Sequence, residues 1–128
     1  MSNKSLLVVD DSATFRQLLC MSLLRVDGIN SSDITEAADG EEALQKVRSG
    51  SFNLVLTDIR MPKMDGLEFV KSVRADAAHK DLPIIIISTK GAEEDIELGM
   101  KLGANGYLSK PISTPKLKEL VAKFLVTQ

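Results

Sequence analysis

The chain has 128 residues, enough for one compact domain and little more, and 44% of them are hydrophobic, so it can bury a core and is not a disordered segment. Its 16 basic and 18 acidic residues are mixed along the chain for a net charge of −2, which gives no electrostatic case for nucleic acid or an anionic membrane. Cys20 is alone, which excludes an intrachain disulfide and a cysteine metal cluster; no apolar run nears the roughly 20 residues that span a bilayer; and Met1–Ser5 lacks the apolar core of a signal peptide, so a cytoplasmic protein is expected.

Leu6–Val9 is a continuous apolar run, as for a strand buried on both faces. Phe15, Leu18, Leu19, Leu23 and Val26 follow at helical spacing and predict one buried helix face, ended by Gly28. Ile34–Ala38 reads as a weaker strand. Asp39-Gly-Glu-Glu42 reads as an N-cap with its capping-box acid, opening a helix that buries Ala43, Leu44 and Val47 and stops at Gly50. Leu54–Thr57 is the third strand, and Phe69, Val70 and Val73 mark the next helix. Pro83–Ile87, with four consecutive isoleucines, is the strongest strand signal in the chain. Glu93, Glu94 and Asp95 put acids in the first turn of a helix, where its dipole favours them, and Gly103 ends it. Gly106–Ser109 is a short fifth strand. Thr114 as N-cap and Pro115 at the first helical position then open a last helix that buries Leu117, Leu120, Val121, Phe124 and Leu125.

The order is strand then helix, repeated to the end without a linker, so residues 1–128 are expected to form one α/β domain. Right-handed crossovers make a parallel five-stranded sheet with helices on both faces, and the flavodoxin-like doubly wound (βα)5 order 2-1-3-4-5 suits it. Strands one and three are then neighbours, and Asp10, Asp11 and Asp58 meet at the carboxyl edge, where open α/β sheets bind ligands. Ser88 and Thr89 end the fourth strand, and Lys110-Pro111 follows the fifth, at the same edge.

Each group has a plain structural explanation when taken singly. Asp11 or Ser12 can cap the first helix with Asp10 solvated beside it; Asp58 can be a loop acid, Lys110 a surface lysine, and Ser88 or Thr89 a cap. Together the carboxylates are harder to dismiss. At ~4 Å and an effective dielectric near ~20, each like-charged pair costs about 4 kcal/mol, so the cluster must take up protons, separate, or hold a cation. Oxygen-only donors point to a hard ion such as Mg²⁺. A carboxylate beside such an ion, a lysine and a hydroxyl is equipped for phosphoryl transfer onto an acid, since no activated Ser–His pair is present. His79, the only histidine, sits in the polar loop 77–81 and is expected to be exposed and remote from that edge.

The segments Leu7-Val-Val-Asp-Asp-Ser12, Leu56-Thr-Asp-Ile-Arg-Met-Pro-Lys-Met-Asp-Gly-Leu67, Pro83-Ile-Ile-Ile-Ile-Ser88 and Gly103-Ala-Asn-Gly-Tyr-Leu-Ser-Lys-Pro111, in this order and spacing, carry a resemblance. The chain resembles the CheY-like receiver domain of two-component response regulators from about Leu6 to Leu125. The resemblance implies a signalling protein and not an enzyme of ordinary turnover. Asp58 would accept a phosphoryl group from a sensor histidine kinase or a histidine phosphotransfer protein. Asp11 would bind Mg²⁺ directly, Asp10 through water, and Asp58 with the backbone carbonyl of Arg60 would complete the protein's share. Lys110 would pair with Asp58 and then with the phosphoryl oxygens, Ser88 would hydrogen-bond them with Thr89 beside it, and Tyr107 would swing inward. The Lys110–Pro111 bond would be cis. The output face would be the fourth helix, fifth strand and fifth helix, with Ile96, Tyr107 and Lys116 on it, and the phosphodonor would dock near Thr14, Phe15 and Leu18.

Arg60, Thr89 and Lys90 depart from the chemotaxis members of that family, and they are expected to alter water access and tune dephosphorylation. A flagellar switch, a phosphotransfer protein and a phosphate sink all fit as the downstream target. A monomer is expected, with phosphorylation-linked dimers through the output face as an alternative, and neither nucleic-acid binding nor membrane insertion. Two other classes read less well. An aspartate-nucleophile phosphohydrolase would want a second acid where Arg60 stands, and a flavin module would want a phosphate cradle where the acidic Asp10–Thr14 loop stands.

Overall fold

The structure, a computed structural model, describes residues 4–89 and 92–125. Its elements alternate: β1 (Leu6–Val9), α1 (Ala13–Leu23), β2 (Ile34–Ala37), α2 (Gly40–Ser49), β3 (Leu54–Asp58), α3 (Gly66–Ala75), β4 (Ile84–Ser88), α4 (Glu93–Leu102), β5 (Gly106–Ser109) and α5 (Thr114–Leu125). Short 3₁₀ turns at Ser31–Asp33 and Ala77–His79 precede β2 and β4. The sheet order is β2-β1-β3-β4-β5 with every pair parallel, as the alternation predicts.

Period-two alternation divides the core between the two faces of the sheet. Leu7, Val9, Val55, Ile84 and Ile86 point to one side and pack with Ala43, Val47, Phe69 and Val73 of α2 and α3. Leu6, Val8, Leu54, Leu56, Ile85 and Ile87 point to the other and pack with Leu19, Leu23, Leu117 and Val121 of α1 and α5. Both faces of β1, β3 and β4 are therefore dry, which is why their sequences are apolar without interruption. β5 stands at an edge, and there Gly106 and Leu108 are buried while Tyr107 and Ser109 face out.

Several helix ends differ from expectation for local reasons. α1 stops at Leu23, and Gly28 (φ +88°) lies four residues beyond its cap residue Leu24, in the turn that follows. Leu18 is 56% exposed although it shares the helical spacing of Leu19 and Leu23. Glu42 accepts the amide of Ala38 and not that of the cap Asp39, whose own carboxylate accepts from Glu42 N as predicted. The last helix is capped one residue early: Ser113 O accepts from Leu117 N at 2.9 Å, and Ser113 Oγ faces Lys116 N. Pro115 thus lies at the second helical position, where its missing N–H also costs nothing. Gly103 ends α4 in the left-handed conformation, φ +119°, that glycine adopts without strain.

Candidate functional site

Register sets the geometry of the carboxyl edge. Val9 pairs with Thr57, so the next residues, Asp10 and Asp58, are level on neighbouring strands. Ser88 pairs with Ser109, and Lys110 N donates to Ser88 O at 2.8 Å, which leads the lysine back across β4. Asp10 and Asp58 are buried and Asp11 is exposed. Each of the three offers a carboxylate oxygen, all within 4.8 Å of one another. Lys110 Nζ lies 3.2 Å from Asp10 Oδ2 and 3.5 Å from Asp58 Oδ2, so the lysine spans two carboxylates where pairing with Asp58 is expected. The remaining oxygens are aimed by backbone: Asp58 Oδ1 accepts from Ile59 N and Asp10 Oδ1 from Ser12 N. Burial, then the charge of Asp10, push the Asp58 carboxyl above the usual carboxylate range, against the pull of Lys110. This excess of buried negative charge, made of hard oxygen donors with an exposed third acid at the rim, fits a small divalent cation such as Mg²⁺.

The loop after β3 is braced from both ends. Gly66 N donates to Ile59 O at 2.7 Å, and a Cβ at Gly66 would collide with the carbonyl oxygen of Asp58. Only glycine lets α3 begin this close to the acidic residue. Asp65 caps that helix by accepting from Glu68 N at 2.9 Å. From the far side, Gly40 N donates to Met64 O, which ties the loop to the start of α2. Arg16 holds the other acidic loop, donating to the Asp10 carbonyl and to Glu36.

Asp58, Arg60, Ser88, Thr89, Asp95 and Lys110 line one cleft of about 580 Å³. Ser88 is 3% exposed, and its Oγ finds no hydrogen-bond partner among the described residues. A buried hydroxyl without a partner costs about 1–3 kcal/mol, and a guest oxygen in the cleft would recover it. Thr89 is exposed at the mouth. The Arg60 side chain turns to α4, where its guanidinium donates twice to Asp95, at 2.7 and 3.1 Å. Lys90 lies outside the described residues. Tyr107, half exposed on β5, and Ile96 and Lys116, on α4 and α5, do not line the cleft. The Lys110–Pro111 bond is cis. His79, expected to be exposed, is partly buried beside Asp76 at the opposite edge.

Three partners of the site residues escape the sequence patterns. The Phe15 ring lies under Lys110 Nζ, 4.1 Å from its centroid; Asp95 holds Arg60; Arg16 holds Asp10. Phe15 carries a core-face signal and, by the resemblance, a place in the donor-docking neighbourhood, neither of which points to Lys110; Asp95 carries only a first-turn signal. Gly66 was detectable as part of the Asp-Gly pair ahead of the helix, without a role attached to it.

Known proteins are similar to the chain over nearly its whole length. Residues 6–122 match the model of the response regulator receiver domain. The chain is similar to the chemotaxis protein CheY1 of Helicobacter pylori, 41% identical over 123 residues, which is 95% of this chain and 97% of that protein. Among solved structures it is similar to the chemotaxis response regulator CheY4 of Vibrio cholerae (35% identity, TM-score 0.83, 98% of this chain and 99% of that one). A response regulator receiver protein from Pseudomonas putida aligns with 33% identity and a TM-score of 0.83, over 96% of this chain and 98% of that one. With its sheet order, its acidic edge and these matches in accord, the chain belongs to the response regulator receiver domain family, CheY-like signalling proteins of two-component systems.

Proposed function

We propose that this chain is a response regulator receiver in which Asp58 accepts a phosphoryl group from a histidine kinase or a histidine phosphotransfer protein. One observation carries the reading: Lys110 Nζ stands within 3.5 Å of both Asp10 and Asp58 at the end of a cleft that also holds the unpartnered Ser88 hydroxyl. The Asp58 carboxylate attacks the phosphorus, a C–O–P bond forms, the P–N bond breaks, and the histidine imidazole leaves with its electron pair and takes a proton. Lys110 and Ser88 receive the phosphoryl oxygens, which compensates charge where it develops. Asp10, Asp11, Asp58 and the carbonyl of Arg60 are the groups that would hold Mg²⁺, which when bound neutralises charge between the carboxylate and the incoming group.

The phosphoryl group adds charge and acceptor oxygens at Asp58. Ser88 and Lys110 bind them better in one loop arrangement, which shifts an existing equilibrium towards it. Tyr107, exposed here, and Ile96 and Lys116 are the residues through which the α4–β5–α5 face would report that change to a protein partner. An apolar groove of about 630 Å³ beside α1, where Leu18 and Met21 are each more than half exposed next to Pro111 and Ile112, supports donor docking at that end. The name of the Helicobacter relative supports a chemotaxis-type output. Arg60 and Lys90 tune the lifetime of phospho-Asp58, and Thr89 stands at the mouth of the cleft.

Intact mass after exposure to a small phosphodonor tests the reading. One phosphoryl group is expected in the presence of Mg²⁺, with none after chelation and none on Asp58→Asn. A folded wild-type protein that takes up nothing, or a variant that takes up as much as wild type, would overturn it.

A further inference from the structure

Lys110 lies where the acidic cleft and the apolar groove beside α1 meet, lining both. Its ammonium contacts two carboxylates and also lies over the Phe15 ring, 4.1 Å from the ring centroid. The first helical turn that carries the ring is itself tied to Asp10. Phe15 N donates to Ser12 Oγ at 3.1 Å, and Ser12 N donates to Asp10 Oδ1 at 2.8 Å. Lys110 Nζ returns to Asp10 Oδ2 at 3.2 Å, so Asp10, Ser12, Phe15 and Lys110 form a closed circuit of contacts. The ring also packs, partly buried, against the core that α1 and α5 share with β1, β3 and β4.

We propose that Phe15 is a positioning residue for Lys110, holding the ammonium over the acidic cleft by a cation–π contact. The proposal rests on the reading of Asp58 as phosphoryl acceptor and adds a residue to it. The physical reason is specific to an aromatic group. A ring face attracts an ammonium through its quadrupole and shields it from water, while N–H donors remain for oxygen acceptors. An aliphatic side chain of similar bulk fills the same space but attracts nothing. Lysine has a flexible four-carbon stem, so what holds its head decides how often it stands ready for the incoming oxygens.

The test compares Phe15→Leu, Phe15→Tyr and Phe15→Trp in the full chain, each checked for folding by circular dichroism. Phosphoryl uptake from phosphoramidate, a small donor that needs no partner protein, is followed by intact mass with Mg²⁺. Uptake should slow about three- to tenfold in Phe15→Leu, the range of a partly shielded cation–π contact, and recover in the Tyr and Trp variants. In a Lys110→Ala background the Phe15 variants should no longer differ from one another. NMR of the unphosphorylated protein supplies a second readout: the Lys110 ε-methylene protons should be shifted upfield by the ring, lose that shift in Phe15→Leu, and keep it in Phe15→Tyr. Wild-type uptake in Phe15→Leu, or an ε-methylene shift that is the same in Phe15→Leu, overturns the proposal. If wild type takes up no phosphoryl group, the acceptor reading fails, and the ε-methylene shift alone still decides whether the ring holds the lysine.

Discussion

Asp58 is a carboxylate held where water is scarce and a second buried carboxylate stands level with it on the next strand. Burial and then Asp10 raise its pKa above the ordinary 3.8, so the native state binds the proton more tightly than the unfolded chain does. Stability attributable to this residue therefore falls as pH rises through the raised pKa, and at neutral pH the ionised group costs stability. Asp58→Asn removes that cost. In metal-free buffer the variant should melt above wild type at pH 7, and its advantage should shrink as the pH falls through the raised pKa towards 3.8. Thermal melts at several pH values check this, and a variant less stable than wild type at pH 7 would contradict it. Buried carboxylates that disfavour each other's charge are the physical counterpart of a site that welcomes a cation.

Among the elements, the β3–α3 loop and α4 are joined beside the cleft by an ion pair. Arg60 and Asp95 are 35 residues apart, yet their ion pair closes one side of the cleft that Asp58, Ser88 and Lys110 line. The arginine side chain is 82% exposed, so the pair contributes only about 0–1 kcal/mol to folding. Its expected effect is on access. If bulky basic groups slow the approach of water, a variant combining Arg60→Asn, Thr89→Ala and Lys90→Glu should lose its phosphoryl group roughly fivefold faster, equivalent to ~1 kcal/mol in the barrier. Its melting temperature should barely move. An unchanged decay rate of phospho-Asp58, followed by intact mass after donor removal, would dispose of the idea.

At the scale of the whole molecule, the sheet separates two packed layers, and a helix counts only through the face it turns to that sheet. Phe69 is fully buried among α2, α3 and the sheet, whereas Leu18 is 56% exposed on α1. Phe69→Ala should therefore cost ~3–5 kcal/mol, a large part of a typical domain's stability. Leu18→Ala should stay within about 0.5 kcal/mol. Urea unfolding separates the two, and equal losses would mean that the packing described here is wrong. Leu18 matters instead to the groove in which it stands exposed beside Met21 and Ile112. Among the described residues no helix is long and apolar enough to cross a membrane.

Much of this was legible in the sequence because it is local. Uninterrupted apolar runs mark strands covered on both faces, Asp39 caps α2 from three residues before Glu42, and acids gather in the first turn of α4. With the strand order inferred from the alternation, the meeting of Asp10, Asp11 and Asp58 follows, as a cluster of hard oxygen donors. The tertiary structure alone decided matters between residues far apart in the chain. Lys110 divides itself between Asp10, 100 residues away, and Asp58; Arg60 turns to Asp95; Phe15 lies under the lysine; Leu18 faces solvent while Leu19 does not. Helical spacing gives a side chain its direction about an axis, but a long flexible side chain chooses among partners only when other elements bring them within reach.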